Sequence, residues 1–379
     1  MQRKQGKENA VFSLPFPPIA LTLQRNIQNI AMVKQNCYKY QLAAGLCLIA
    51  ILGIIYYYFF SAFSAKDTTQ YVYIDADDNI DSVYHKLYPI AKSSSFAAFR
   101  TIVRHSKYKD HVRTGRYAIK PGMGAFKLFR HLKNGQQEPV SLTVPSVRTV
   151  DDLANELSKH LMLSSAEIAS ALKDEATCQK YGYDTATIEC MFIPNTYDIY
   201  WNCSLNKLLS RMQKESKAFW TPDRTSKAAA LKLSPNEVIT LASIVDEETA
   251  NNAEKPMIAG MYYNRLMVRN AKYPDGMPLQ ADPTIKFAWK QFALKRIYHN
   301  LLRIQSPYNT YVNPGLPPGP IRIPSVAGID AVLNMVHHDY LYMCAKEDFS
   351  GTHNFARTYD EHLKNAARYS AALNSRGIK

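Results

Sequence analysis

SPNEVITLASIVDEET, from Ser234 to Thr249, begins as a helix, turns apolar, and ends in three consecutive acids, Asp246, Glu247 and Glu248. The start is well marked. Ser234 is placed to cap, Pro235 suits the first helical position, and Glu237 closes a capping box. With Leu241 as origin, steps of about 100° put Ile244 near 300°, Val245 near 40° and Glu248 near 340°. Asp246 falls near 140° and Glu247 near 240° on the same wheel. Glu248 therefore lies on the centre line of the apolar stripe, while Asp246 points away from it and Glu247 sits to one side.

A carboxyl driven against apolar neighbours favours its neutral form, so its pKa rises. An acid that keeps its proton near neutral pH is what general acid catalysis needs. Cleavage of a glycosidic bond has that need, because the leaving sugar oxygen must be protonated. The plainer reading of Glu248 is a frayed helix end, exposed or paired with Lys255. Asp246 and Glu247 read as solvated or as packing the helix end.

Outside this helix, the chain has 379 residues and a net charge of +14 from 46 basic and 32 acidic residues. The length allows two modest domains with real cores. A basic chain suits acidic partners, but its basic residues are dispersed. No arginine-rich arm, zinc-finger spacing or RNA-binding aromatic motif points to nucleic acid. From Tyr40 to Ala65 no residue is charged. Leu42 to Phe63 reaches ~33 Å as a helix, enough for a ~30 Å hydrocarbon layer. A signal-peptide core is shorter, ~7–15 residues, although Ser61-Ala62-Phe63-Ser64-Ala65 faintly resembles a cleavage site. Tyr56 to Phe60 form an aromatic belt. Arg3, Lys4, Lys7, Arg25, Lys34 and Lys39 precede the span against Glu8 alone. The positive-inside rule then puts the N-terminus in the cytoplasm and residues 66–379 outside. The expected layout is a cytoplasmic segment 1–39, a transmembrane helix 40–65, an α+β region 66–204, and a second domain 205–379. Residues 1–31 show no clear periodicity, and Met32 is a candidate true start.

Cys178, Cys190, Cys203 and Cys344 fall on the expected outer side, where disulfides are permitted. The first three crowd one segment and allow a local bridge, with no pairing selected. No pair has zinc-ligand spacing. His337, His338 and His353 do not converge by sequence, so no metal is expected.

In the outer region, Tyr71 to Ile74 reads as a strand. Asn79 can cap a helix carrying Ile80, Val83, Tyr84 and Leu87. Phe96, Phe99, Ile102 and Val103 form a second stripe, and Gly115 to Ile119 a second strand. Strand, helix, helix, strand is the order of a LysM-like unit, a small glycan-binding fold. A short helix with Phe126, Leu128, Phe129 and Leu132 ends at Asn134-Gly135. Val140, Leu142 and Val144 alternate as a half-buried strand. Thr149 with Asp152, and Ser164 with Glu167, mark two further helix starts. Cys178 to Cys203 reads as a loop-rich joint, and Trp220 to Lys232 as a polar linker.

From Ser234 onward, a series of motifs resembles the endolytic murein transglycosylases, the YceG-like or MltG family. They are LASIVDEET, Met261 to Leu266, MPLQADPT (Met277 to Thr284), SPYNTY (Ser306 to Tyr311), GLPPGPI (Gly315 to Ile321) and Gly351 to Phe355. The ordered set is specific where each piece alone is weak. It extends loosely to most of residues 66–379. The resemblance implies an α+β protein with one N-terminal anchor, a LysM-like βααβ subdomain and a C-terminal YceG-like catalytic domain. It puts the catalytic acid on the glutamate before the threonine, which is Glu248, as the helical wheel also does. The chain departs from the family at Asp246, usually glutamate. Other departures are a long charged loop between Leu266 and Met277, a basic segment from Phe287 to Gln305, and a missing glycine in Pro145 to Thr149.

The implied reaction is non-hydrolytic cleavage between N-acetylmuramic acid and N-acetylglucosamine, leaving a 1,6-anhydro end. One carboxyl serves, since the nucleophile belongs to the substrate; a hydrolase would want two. Asp282, in Asp-Pro-Thr, reads first as a helix cap and second as a cleft residue. Gln280 offers amide hydrogen bonds, and its motif position implies the cleft. Tyr308, Asn309, Thr310 and Tyr311 combine aromatic faces with polar groups, suited to sugar or to a simple turn. Asn264 and Arg265 read as structural. The substrate expected is the murein glycan strand, with no cofactor. The family likeness suggests cell-wall synthases as partners and the bacterial cytoplasmic membrane as location. The competing expectation is a non-catalytic murein-binding scaffold, and a third is a muramidase-type hydrolase.

Overall fold

The computed structural model describes residues 18–377 except 295. The first 17 residues of the expected cytoplasmic segment lie outside the described residues. The chain divides into two compact units. One takes residues up to Val72 with Asn79–Val112 and Ala118–Gln136; the other takes Tyr73–Asp78, Arg113–Tyr117 and everything from Gln137.

The first unit opens with α1 (Pro18–Phe60), a helix of 43 residues. Within Thr22–Phe60 an 18-residue window reaches a mean hydropathy of 2.2, and the helix is long and apolar enough to cross a membrane. The helix takes in residues 18–31 as well, although they carry no clear periodicity, and one boundary needs correction. At the other end the helix stops at Phe60, three residues short of the expected apolar run. Phe63 is fully buried, its ring 6.1 Å from Phe99, and its N–H donates to the Met123 carbonyl at 2.7 Å. It belongs to the folded unit because its side chain has a core to enter.

β1 (Gln70–Ile74) and β2 (Gly115–Ile119) pair in a two-stranded sheet. Between them in sequence come α2 (Ile80–Leu87) and α3 (Ser93–Arg104), in the expected strand, helix, helix, strand order. Asn79 caps α2, accepting from Asp81 N at 2.9 Å and Ser82 N at 3.0 Å. α4 (Ala125–Asn134) ends at Gly135 in the left-handed conformation, φ 67°, which costs glycine nothing. The stripes of these helices meet as a core of Val83, Leu87, Phe99, Val103, Leu128 and Leu132, all buried.

In the second unit β3 (Val140–Thr143) pairs antiparallel with β4 (Thr196–Ile199), Leu142 opposite Tyr197. α5 (Val150–Ser158) and α6 (Ser165–Lys173) follow the expected caps at Thr149 and Ser164, and α7 (Glu175–Lys180) and α8 (Leu205–Phe219) are capped by Asp174 and Ser204. One apolar cluster joins them, including Leu142, Leu153, Leu157, Ile168, Leu172 and Leu208. The Cys178–Cys203 stretch is therefore more ordered than a loop-rich joint: it holds part of α7, the 3-10 turn Ile188–Met191 and β4. Cys178, Cys190 and Cys203 are buried free thiols, so none of the permitted local bridges forms.

α9 (Pro222–Ala230) replaces the expected polar linker. Thr221 caps it and Pro222 starts it, the same signals as at Ser234-Pro235 in a polar setting. α10 (Pro235–Glu248) carries the complete capping box. With α11 (Lys255–Met267), α12 (Asp282–Trp289) and α13 (Val326–Leu333) it builds a second cluster around Leu241, Ile244, Ile258, Tyr262, Phe287 and Val332. α10 is buried on every face from Val238 to Val245, not on one stripe alone. β5 (Tyr342–Ala345) and β6 (His353–Ala356) form an antiparallel hairpin, against which α14 (Tyr359–Ser375) packs.

Candidate active site

The three acids at the end of α10 have three different environments. Asp246 accepts from Lys255 Nζ at 2.8 Å, with both side chains under a tenth exposed. Ser325 N adds a 2.5 Å bond to it. Glu247 takes a two-pronged bond from Arg148, at 2.8 and 3.0 Å, and a third from Arg322 at 2.9 Å. Neither is solvated: each is a fixed ion pair that ties the helix end to a neighbouring segment. Lys255 is thereby engaged with Asp246 and not with Glu248.

Glu248 makes no ion pair among the described residues. The Tyr262 hydroxyl, from α11, donates to its Oε1 at 2.5 Å. Burial pushes the Glu248 pKa above the ordinary carboxylate range, and the nearby Asp282 charge adds to the rise. The Tyr262 bond, His353 and Lys286 oppose it. Desolvation is the largest of these causes, since burial penalises the charged form. Burial likewise keeps Tyr262 and Tyr311 protonated, so both serve as donors.

Glu248 faces a cleft of about 350 Å³ that Tyr262, Arg265, Gln280, Asp282, Tyr311 and His353 also line. Arg265 is held by the Leu341 and Leu279 carbonyls, each at 2.6 Å. His353 is held by buried Glu254, which accepts from its backbone N–H at 2.6 Å and lies 3.0 Å from Nδ1. Asn264 bonds the His338 and Tyr340 carbonyls at 2.6 and 3.0 Å, so it has the structural place expected.

The other sequence-selected residues divide. Gln280 and Asp282 are exposed and line the cleft with Glu248. Gln280 has φ 51°, a left-handed conformation that costs a non-glycine residue roughly 1–2 kcal/mol. Its N–H donates to the Thr310 carbonyl at 2.9 Å, which helps to hold that geometry. Asp282 is not the expected cap: the N-cap of α12 is Ala281, without a side-chain bond. Asp282 is the first helical residue instead, and its carboxylate accepts from the Tyr311 hydroxyl at 2.5 Å.

Asn309 and Thr310 do not reach the cleft, which corrects the expectation of sugar contact at both. Asn309 is fully buried. Its Nδ2 donates to the Leu302 and Ile304 carbonyls at 2.9 and 3.0 Å, and its Oδ1 accepts from Tyr311 N at 3.0 Å. Thr310 Oγ1 accepts from Ala281 N at 3.1 Å and meets Thr284 Oγ1 at 2.8 Å. Asn309 thereby ties the 306–311 loop to residues 302–304, and Thr310 fastens it to the start of α12. Tyr308 lies on a different cavity, packed on Phe287 with ring centroids 4.7 Å apart.

Sequence reasoning missed Tyr262 and His353 as site residues, and read Arg265 as purely structural. Met261, Tyr262, Arg265 and Leu266 share a helix face and read as packing. The one available signal was a charged arginine inside that otherwise apolar face, which burial tolerates only with partners.

The YceG-like family model matches residues 72–368. The fold is similar to the crystal structure of a YceG-like protein from Listeria monocytogenes, with a TM-score of 0.50 and 25% identity, over 79% of this chain and 99% of that one. A Bacillus subtilis (strain 168) protein named endolytic murein transglycosylase is 27% identical over 325 residues, 82% of this chain and 87% of that protein. A Streptococcus pneumoniae (serotype 2, strain D39) protein of the same name is 27% identical over 297 residues, 70% of this chain. The aligned part is about half of that pneumococcal protein, 52%. With the family match running from β1 into α14, and the same architecture in a solved relative, this chain belongs to the YceG-like family.

Proposed function

We propose that this chain is an endolytic murein transglycosylase, a carbon–oxygen lyase acting within glycan strands, with Glu248 as its single acid and base. The observation that carries the reading is a desolvated carboxyl, free of ion pairs among the described residues, beside a polar cleft. Neutral Glu248 protonates the oxygen that leaves when the bond from N-acetylmuramic acid to N-acetylglucosamine breaks. The carboxylate so formed takes the proton of the muramoyl 6-hydroxyl as that oxygen attacks the anomeric carbon. The bond to the leaving sugar breaks, the 1,6-anhydro ring forms, and Glu248 ends protonated again. Tyr262 steadies the carboxyl through its 2.5 Å bond. Gln280 and Asp282 are assigned to hold the sugar, and the wider role is termination of nascent strands.

The reading assigns residues 1–39 to the cytoplasm, 40–65 to the anchor, 66–204 to a LysM-like and connecting region, and 205–379 to catalysis outside the cytoplasmic membrane. The apolar α1 and the basic residues before its core support the anchor and its direction. The strand, helix, helix, strand order supports the LysM-like assignment. Cell-wall synthases are the proposed partners.

Asp282 favours one rival reading, because it supplies a second carboxyl in the cleft, as a hydrolase needs. Product mass separates the two. Wild-type protein on purified glycan strands is expected to release anhydro ends, one water lighter than the reducing ends a hydrolase leaves. Glu248→Gln is expected to lower the rate by about 10²–10⁴, the usual worth of a positioned acid–base group. Strands left uncut by the wild type would instead support a murein-binding scaffold.

A further inference from the structure

A second cavity, of about 520 Å³, lies in the same unit and has Glu189 in its wall. Glu189 sits on the 3-10 turn Ile188–Met191, whose other residues are buried in the two apolar clusters. The residue is only 6% exposed, and its Oε1 has no hydrogen-bond partner. Such an orphaned acid is costly. Burial pushes it to about 8, with Lys290 opposing the rise and Asp152 adding to it. It is therefore a neutral donor over most of the physiological range. Beside it stand Phe287, Phe292 and Tyr308, the Phe287 ring lying 6.3 Å from Phe292 and 4.7 Å from Tyr308. Phe292 and Tyr308 are half-buried and keep surface to offer.

We infer that this cavity is a second sugar site, in which Glu189 donates to the acetamido carbonyl of an N-acetylhexosamine packed against Phe292 and Tyr308. A neutral carboxyl next to aromatic rings matches a ligand that is uncharged, carries an amide oxygen and presents apolar C–H faces. A glucose-type ring lacks the amide.

The site also shares its framework with the cleft. Asp282 at the first position of α12 lines the cleft, and Lys290 just past its end lines the second cavity. That separation is ~12 Å of helix, within reach of one short oligosaccharide. Tyr311 and Tyr308 lie on the same loop, one at each place. This inference rests on the glycan reading above and extends it to a residue of the same strand away from the cut.

The test is calorimetric binding of tetra-N-acetylchitotetraose and of cellotetraose to the full chain carrying Glu248→Gln, which suppresses turnover. Glu189→Leu removes the donor while filling its space, and Glu189→Gln keeps a donor. Leucine is expected to weaken the acetylated probe about tenfold, the worth of one hydrogen bond of ~1.4 kcal/mol, and glutamine to stay within twofold. Thermal melting checks that each variant folds; the leucine variant removes an unpaired acid and is expected to melt no lower. Equal binding of the leucine variant would overturn the inference, as would equal binding of cellotetraose. The lyase reading fails separately: it falls if wild-type protein releases no anhydro ends, whatever Glu189 does to binding.

Discussion

Glu248 differs from its two neighbours in its partners more than in its direction. Asp246 and Glu247 are neutralised by Lys255, Arg148 and Arg322, whereas Glu248 has the Tyr262 phenol. The helical wheel selected Glu248 on the assumption of one apolar face, yet α10 is buried all round. What sets Glu248 apart is that basic residues meet its neighbours: Lys255, nine residues on, takes Asp246, while Arg148 and Arg322 reach Glu247 from distant segments that no local pattern connects. The Tyr262 bond stabilises the ionised form and so holds the Glu248 pKa below where burial alone would take it. If Glu248 must start protonated, activity falls as pH rises through its raised pKa. Tyr262→Phe removes the opposing bond, so that falling limb is expected to move to higher pH. A pH–rate profile of the two proteins checks it, and an unmoved or lowered limb counts against the assignment of Glu248.

At the scale of elements, the capping residues were the most readable part of the chain. Asn79, Thr149, Ser164 and Ser234 each start the helix expected of them. Those bonds are local, spanning two or three residues, so sequence spacing specifies them. α9 was missed because its polar composition masked an equally plain Thr221-Pro222 start. β4 was missed because its partner β3 is more than fifty residues away, and short strands declare themselves through partners. Asn309 and Thr310 were misassigned for a related reason: polar residues in a loop look available until the carbonyls they satisfy are known. Helix-to-helix contact carries its own prediction at Gly328, in α13. A Cβ there would overlap Asp246 Oδ1 and lie 2.8 Å from its Cγ. Asp246 cannot step aside without leaving Lys255 and Ser325. Gly328→Ala is expected to cost about 1–3 kcal/mol, as overpacking does, read as a lower urea midpoint.

For the molecule as a whole, buried neutral acids make stability depend on pH in an unusual direction. Glu189 titrates at about 8 when folded, and in the ordinary carboxylate range when unfolded. Its contribution is fully present below the ordinary range and is lost as pH rises toward about 8. The loss is on the order of 5 kcal/mol, and Glu248 acts in the same direction. Glu189→Gln is expected to match wild type near pH 4 and to melt higher above pH 8. Parallel melting curves at both pH values would count against a neutral Glu189.

The junction between α1 and the first unit has a mechanical meaning. Only Ser61 and Ala62 separate the end of the helix from buried Phe63, and Phe60 still touches Phe126, ring to ring at 5.7 Å. There is no slack in that joint. With α1 embedded in lipid, the small folded unit would ride at a set height above the bilayer, like a head on a stiff neck. A thicker or thinner membrane would raise, lower or tip it as one piece, where a tethered domain would simply drift.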